Sequence, residues 1–302
     1  MATFYLYMGL PGSGKTYLAH KHATGEYDFV IDSDEVRESL FGDASYQGDN
    51  DKVFCTMYDI TVKGLREGDN IFYVATNLFM KKRIALVKRL KKEVPGVKCR
   101  CVCVVAPIDV CHRRNGARER IVPEEVIDRM ARQFDPPCES EGWDTISIQD
   151  NYYDNANNAY DGKEEIYCNY YRQKMKEFGS QQNSHHSLSL SDHCDQCFIL
   201  AFRDPDASIE IKRAAAIHDV GKLYTQTHWE KDNYSEAHYP NHAELGSYLA
   251  LEMGYSLYVA QLVRFHMVPY MDAAAQKTWR ERMGEELWND VMRLHQYDEA
   301  AH

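Results

Sequence analysis

Four short apolar runs mark the first half of the chain: Thr3 to Met8, Val30 with Ile31, Ile71 to Ala75, and Lys98 to Val105. In the last of these, Cys99, Cys101 and Cys103 alternate with Val102 and Val104 in the period-two pattern of a strand. Between and after the runs lie segments that read as exposed helices. One spans Lys81 to Glu93; another opens at Pro123, a residue suited to a first helical position, and carries apolar Val126, Ile127, Met130 and Phe134. Strand and helix in alternation predict a parallel sheet flanked by helices. From Asp150 to Gly162 the chain is rich in Asn, Asp and Tyr and has no apolar period. Beyond it the pattern is helical almost throughout, with stretches such as Ala207 to Ile217 and Ala243 to Met253, and no repeat is visible. The expected organisation is an α/β domain over 1–149, a linker over 150–180 and an all-α domain over 181–302.

Composition fits two such units. With 302 residues, 44% of them apolar, each half can bury its own core. A net charge of -11 argues against coating long duplexes, which requires many Lys and Arg against phosphates. The opening MATFYLYMGLPG has neither a charged leader nor a cleavage site, and no apolar run approaches the roughly 18 residues of a membrane span. The expectation is a cytoplasmic protein with no membrane contact and nine reduced cysteines rather than a disulfide framework.

The first chemical signal is Gly9-Leu10-Pro11-Gly12-Ser13-Gly14-Lys15-Thr16, which fits G-x-x-x-x-G-K-[ST] between a strand-like and a helix-like run. In such a loop the backbone around Gly9, Pro11, Gly12, Ser13 and Gly14 cradles phosphates, the lysine reaches the β and γ oxygens of ATP, and the Thr16 hydroxyl meets Mg²⁺. The second strand ends in Ile31-Asp32-Ser33-Asp34-Glu35-Val36-Arg37. Strand ends cluster at one edge of a parallel sheet, so Asp34 could face the γ-phosphate as a base for an acceptor hydroxyl. Arg37, one helical turn on, could hold an acceptor phosphate. A solvated helix start is the alternative reading of this D-x-x-R.

Together with Thr76-Asn77-Leu78 and the run Arg113-Arg114-Asn115-Gly116-Ala117-Arg118-Glu119-Arg120-Ile121-Val122-Pro123, these residues resemble the 5'-hydroxyl polynucleotide kinases of phage RNA and DNA repair. The resemblance runs over about the first 148 residues. It implies Asp34 as general base, Arg37 on the acceptor phosphate, and Arg114 and Arg118 as lid arginines on the ATP phosphates. The family often has an aspartate before Thr-Asn; here Ala75 stands there, and Asp32 is the candidate to compensate.

The second signal is a series: His193, then His218-Asp219-Val220-Gly221-Lys222, then His242, His266 and Asp298. Such residues on separate helices can converge on a divalent metal in a bundle. From about Gln182 onward the series resembles the HD phosphohydrolase superfamily. That resemblance implies His193, His218, Asp219 and Asp298 as ligands of Mn²⁺, Ni²⁺, Co²⁺ or Zn²⁺. It implies a second metal or phosphate contact for His242 and His266, for which buried structural histidine is the alternative. His185 and His186 could touch substrate, and Lys222 could bind phosphate or be solvated. Cys194 and Cys197 read as two cysteines on one helix, without a second pair at zinc-site spacing.

HD proteins fused to this kinase type act in nucleic-acid end healing. The resemblance therefore implies a bifunctional enzyme that phosphorylates 5'-hydroxyl RNA or DNA ends and hydrolyses 2',3'-cyclic, 2' or 3' phosphates, with a separate ligase as partner. In the best-known arrangement the HD module comes first, whereas here it comes last. Basic residues at Lys81, Lys82, Arg83, Lys88, Arg89, Lys91 and Lys92 favour nucleic acid, though an exposed helix face accounts for them equally well. Two further readings stand beside this one: a small-molecule or nucleotide kinase joined to an HD nucleotide phosphohydrolase, and a P-loop sensor that gates an HD hydrolase. Assembly state is open.

Overall fold

The structure is a computed structural model that describes residues 2–152, 163–184 and 187–301. The chain divides into two compact units, Met1–Met130 with Pro137–Asp154, and Ala131–Pro136 with Asn155–His302.

In the first unit strands and helices alternate: β1 (Thr3–Met8), α1 (Lys15–His22), β2 (Asp28–Asp32), α2 (Ser33–Phe41), α3 (Asn50–Glu67), β3 (Asn70–Val74), α4 (Met80–Glu93), β4 (Lys98–Val105), α5 (Ile108–Gly116), α6 (Glu124–Ala131) and β5 (Thr145–Asp150). The five strands form one parallel sheet in the order β2-β3-β1-β4-β5. Central β1 is buried on both faces, as a sheet covered by helices on both sides requires; Tyr7 packs with Phe72, Val74, Val102 and Val104 on one face. The four strands expected from apolar runs are present. The fifth, β5, was not marked by its pattern, because it offers only Ile146 and Ile148 among polar residues and lies half-exposed at the sheet edge.

Helix α4 corrects one expectation. Met80, Arg83, Val87 and Leu90 recur at helical spacing and form its buried face, so Arg83 points into the unit and not toward solvent. Its side chain is 1% exposed and grips Glu141 with two hydrogen bonds of 2.8 and 2.7 Å, while Trp143 Nε1 donates to the same carboxylate. Arg83 is thus a structural ion pair, not part of a basic face. Lys91 is also engaged, donating to the Gly142 carbonyl.

The second unit is helical: α7 (Lys163–Phe178), α8 (Leu190–Arg203), α9 (Ile209–Ala215), α10 (His242–Glu252), α11 (Leu257–Phe265), α12 (Ala273–Met283) and α13 (Glu285–Ala300), with one two-residue hairpin, Thr227–His228 and Ala237–His238. Its core gathers Leu245, Tyr248 and Leu249 of α10, Val259, Leu262 and Val263 of α11, and Val291 and Leu294 of α13. Helix α7 falls within the expected linker. Among its described side chains Tyr171 and Met175 are the buried ones, one turn apart, and so few apolar positions leave a weak helical period in the sequence. The Asn- and Tyr-rich stretch 153–162, and with it most of the expected linker signal, lies outside the described residues.

Candidate active sites

Between β1 and α1 the chain turns through the glycine-rich loop. Gly12 has φ 82°, and a Cβ there would lie 2.2 Å from the Cys111 carbonyl oxygen, so only glycine lets the loop close against α5. Gly9, Pro11, Gly12 and Ser13 are buried and Gly14 half-buried. The Lys15 side chain is buried and donates from Nζ to the Leu10 carbonyl at 2.8 Å. Burial pushes its ammonium down to about 8, with the nearby Arg118 charge adding to the effect. Thr16 Oγ1 donates to Asp32 Oδ2 at 2.7 Å, while Asp32 Oδ1 caps α2 by accepting from the Asp34 backbone N–H. A hydroxyl and a carboxylate adjoining a phosphate loop are the oxygen donors Mg²⁺ prefers. Asp32 pairs across the sheet with Val74, next to Ala75, which is buried and apolar.

Asp34 opens α2 with its carboxylate half-exposed. Arg37 Nη1 and Arg120 Nη1 each lie 2.7 Å from its Oδ1. Arg37 is anchored by Asn50 Oδ1 at 3.1 Å, and Asp34 is thus positioned rather than loose. Arg114 Nη1 donates to the Asn151 carbonyl at 2.8 Å, and Asn151 Nδ2 donates to the Ser13 carbonyl at 2.7 Å. Arg118 is exposed, with its charge felt at Lys15. Arg120 and Asn151 were not assigned roles from the sequence. Arg120 sat in a run of similar arginines, and Asn151 follows an edge strand that the pattern did not mark.

The second unit brings six side chains together. His193 comes from α8, His218 and Asp219 from the turn after α9, His242 from the first residue of α10, His266 from the end of α11 and Asp298 from α13. All are buried. Gly221 allows this turn to approach α10, since a Cβ on it would lie 2.0 Å from the His242 carbonyl oxygen. In each histidine Nδ1 meets a backbone carbonyl: Ala301 at 2.8 Å for His193, Ala215 at 3.0 Å for His218, Tyr239 at 2.7 Å for His242 and Val263 at 2.7 Å for His266. A carbonyl only accepts, so Nδ1 carries a proton and it is Nε2 that each ring turns to the centre, as a lone pair where the ring is neutral. His193 and His218 face each other through Nε2 at 3.2 Å, and so do His242 and His266.

Two such lone pairs repel unless a proton or metal lies between them. Asp298 Oδ1 sits 3.0 Å from His193 Nε2 and 3.3 Å from His218 Nε2. Asp219 turns Oδ2 toward His193 and His218, at 3.6 and 3.5 Å, and Oδ1 toward His242 and His266, at 3.3 and 3.6 Å. The donor atoms of His193, His218 and Asp219 lie within 4.8 Å of one another, as do those of Asp219, His242 and His266. Asp219 Oδ1 is buried without a hydrogen-bond partner. Orphaned oxygen, facing lone pairs and imidazole–carboxylate donors all fit a divalent cation, and the carboxylate common to both groups fits two.

The electrostatics agree. Burial disfavours the Asp219 carboxylate, yet Lys222, His218, His242 and His266 hold it well below the usual range. Burial likewise opposes the His218 imidazolium, yet Asp219, Cys194 and Asp298 hold its pKa well above the ordinary value, so positive charge at this point is favoured. His266 is pushed down by burial, against the pull of Asp219, and is kept as the neutral imidazole a metal needs.

Residues 5–137 match the AAA domain family and residues 184–296 match the HD domain family. The chain joins an AAA-type P-loop domain to an HD domain. Among solved structures it is similar to a kinase-like protein of Chloroflexus aurantiacus, at 19% identity over 50% of this chain and 89% of that one, with a TM-score of 0.42. It is also similar to a gluconokinase of Sinorhizobium meliloti 1021, at 15% identity over 49% and 82% with a TM-score of 0.34, and to a tunicamycin resistance protein of Deinococcus radiodurans, at 21% over 47% and 88% with a TM-score of 0.33. No curated protein gives a significant match.

The P-loop domain implies ATP and Mg²⁺, and the HD domain a divalent metal. Within the HD domain Lys222 is neither solvated nor open to a phosphate: it is 5% exposed, with Nζ 2.7 Å from Asp219 Oδ2 and 2.8 Å from Gln181 Oε1. Cys194 and Cys197 are buried free thiols on α8. His185 and His186 lie outside the described residues. Among the described residues no helix is long and apolar enough to cross a membrane.

Proposed function

We propose that the P-loop domain transfers the γ-phosphoryl group of ATP to 5'-hydroxyl ends of RNA or DNA, and that the HD domain hydrolyses terminal 2',3'-cyclic, 2' or 3' phosphates. The reading rests most on Asp34. A carboxylate in the first turn of α2, just past β2 and close enough for its charge to act on Lys15, and braced by Arg37 and Arg120, suits a base that receives the acceptor proton beside guanidinium groups able to take an acceptor phosphate. A nucleotide sensor has no use for such a base. Lys15 steadies the transferred phosphoryl group, Thr16 with Asp32 holds Mg²⁺, and Arg114 and Arg118 supply charge to the phosphate oxygens.

In the HD domain His193, His218, Asp219 and Asp298 hold one divalent ion of the Mn²⁺, Co²⁺, Ni²⁺ or Zn²⁺ type, and Asp219, His242 and His266 hold a second. Bound metal supplies Lewis acidity and a water acidic enough to ionise near neutrality. The protein's own part is to hold each Nδ1 proton on a backbone carbonyl, so that Nε2 is the atom aimed at the ion, and to fix Asp219 between the two groups through Lys222. Ends treated by both domains are substrates for a separate ligase.

A second reading, with a small-molecule acceptor, is favoured by the burial of Arg83, which removes a charge from the basic helix, and by the net charge of -11. The deciding assay incubates the protein with Mg²⁺, γ-labelled ATP and 5'-hydroxyl oligonucleotides of increasing length, beside Lys15→Ala and Asp34→Ala. Label on the oligonucleotide that both substitutions abolish supports the kinase. ATP binding without transfer to any polymer rejects it and leaves the small-molecule acceptor.

A further inference from the structure

Residues Ala131–Pro136 begin with the last residue of α6 but belong to the helical unit. They are not peripheral to it. Ala131 and Phe134 are fully buried, and Phe134 meets Tyr248 of α10 edge-on, with ring centroids 5.2 Å apart. Asp135, also buried, accepts a hydrogen bond from Arg264 Nε at 2.8 Å. Arg264 Nη2 lies 3.0 Å from Glu244. One guanidinium, 7% exposed, therefore stands between a carboxylate of this short segment and a carboxylate of α10.

The position of this ion triad along the helices gives it a role. Arg264 precedes His266 by two residues at the end of α11, and Glu244 follows His242 by two at the start of α10. These two histidines, with Asp219, form the second donor group, and their Nε2 atoms are 3.2 Å apart. The relative placement of the two helix ends sets that separation. The first donor group, on α8, α13 and the turn after α9, has no member within two residues of the triad. If Asp135 loses its charge, Arg264 keeps Glu244 as its one carboxylate and its buried Nε loses a charged acceptor, so the helix ends joined through the guanidinium shift as it re-pairs.

We propose that Asp135 is a positioning residue for the second metal-binding group: through Arg264 and Glu244 it sets the spacing of His242 and His266. The functional HD centre is then completed by residues 131–136, outside the matched span 184–296. This rests on the two-ion reading above.

The test uses full-length, metal-stripped protein titrated with Co²⁺, followed by visible absorption and by bound-metal stoichiometry. Wild type should take up two ions. Asp135→Asn, which keeps the shape and removes the charge, should hold the first ion unchanged and bind the second about 10- to 100-fold more weakly, the usual cost of losing an outer-shell partner. Glu244→Gln should shift the second ion in the same direction. Phe134→Leu, which loosens the same segment without touching a charge, separates positioning from packing: it should lower the melting temperature and leave both affinities in place. Equal affinities in Asp135→Asn and wild type would overturn the proposal, and so would a parallel weakening of both ions that Phe134→Leu reproduces. A wild type that binds only one ion would instead overturn the two-ion reading beneath it.

Discussion

The phosphate loop draws its groups from residues 9–16, a contiguous stretch in which backbone N–H groups and two side chains suffice. The HD centre draws six side chains from positions as far apart as His193 and Asp298, 105 residues in sequence, carried on α8, α10, α11, α13 and the turn after α9. The loop depends on conformational freedom at its glycines, and its charged lysine is stored against its own backbone until a ligand arrives. The HD centre depends on helix packing, and its charges already neutralise one another. A fault in the first is therefore expected to stay local to nucleotide binding, whereas a fault in the second should spread to metal content and to stability.

The sharpest way to break the contrast is at Asp219, which serves both donor groups. Asp219→Asn should cost hydrolysis on the order of 10³-fold and remove metal from both groups, read by metal analysis beside turnover, with phosphoryl transfer unchanged. Lys15→Ala should lower phosphoryl transfer by about 10²- to 10³-fold, the scale of losing one preorganised charge donor, while metal content and hydrolysis hold. Retained transfer in that variant would remove the loop from the chemistry.

Matched substitutions sharpen the comparison further. Gly12→Ala and Gly221→Ala each drive a methyl onto a carbonyl oxygen, of Cys111 and His242 respectively. Both should cost about 1–3 kcal/mol of local fit. For Gly12→Ala the loss should appear in ATP affinity with little change in melting temperature; for Gly221→Ala it should appear in melting temperature and metal binding together.

The smallest effect is one of pH. The folded protein holds the Lys15 pKa at about 8 against an ordinary 10.5, so between these values the unfolded chain binds more protons and folding stability rises with pH through that window. Nucleotide phosphate draws the proton back, so ATP affinity should fall by about tenfold per pH unit above 8. Lys15→Arg, whose charge does not titrate there, should flatten this profile in a calorimetric titration.

The same contrast explains what the sequence could disclose. The loop was readable at once because its eight residues are adjacent and stand between an apolar run and a helix-like one. The six histidine and aspartate positions were readable as a series, with a second metal as one implied role of His242 and His266, but the sharing of Asp219 by two groups arises only when helices distant in sequence pack. Long-range partners left no local trace: Arg83 looked like its solvated neighbours on α4 until Glu141 and Trp143 closed around it. Lys222 gave no sign that Gln181, 41 residues earlier, would fix it beside Asp219. Asn151 lies in a stretch whose apolar content is too sparse to mark an element, Asp135 directly follows the apolar run that ends at Phe134, and the importance of both comes from what they touch.

The path of the chain also bears on how such a protein could be taken apart or recombined. It enters the helical unit at residues 131–136, returns to the α/β unit for 137–154, and leaves it again from 155. Two beads on a string could be exchanged by one crossover in the connecting stretch. Here a crossover near residue 155 would carry Phe134 and Asp135 away with the N-terminal piece and leave Tyr248 and Arg264 without them. The two modules are interlaced in sequence, and a lineage that acquired them in this order would tend to inherit them as one gene segment.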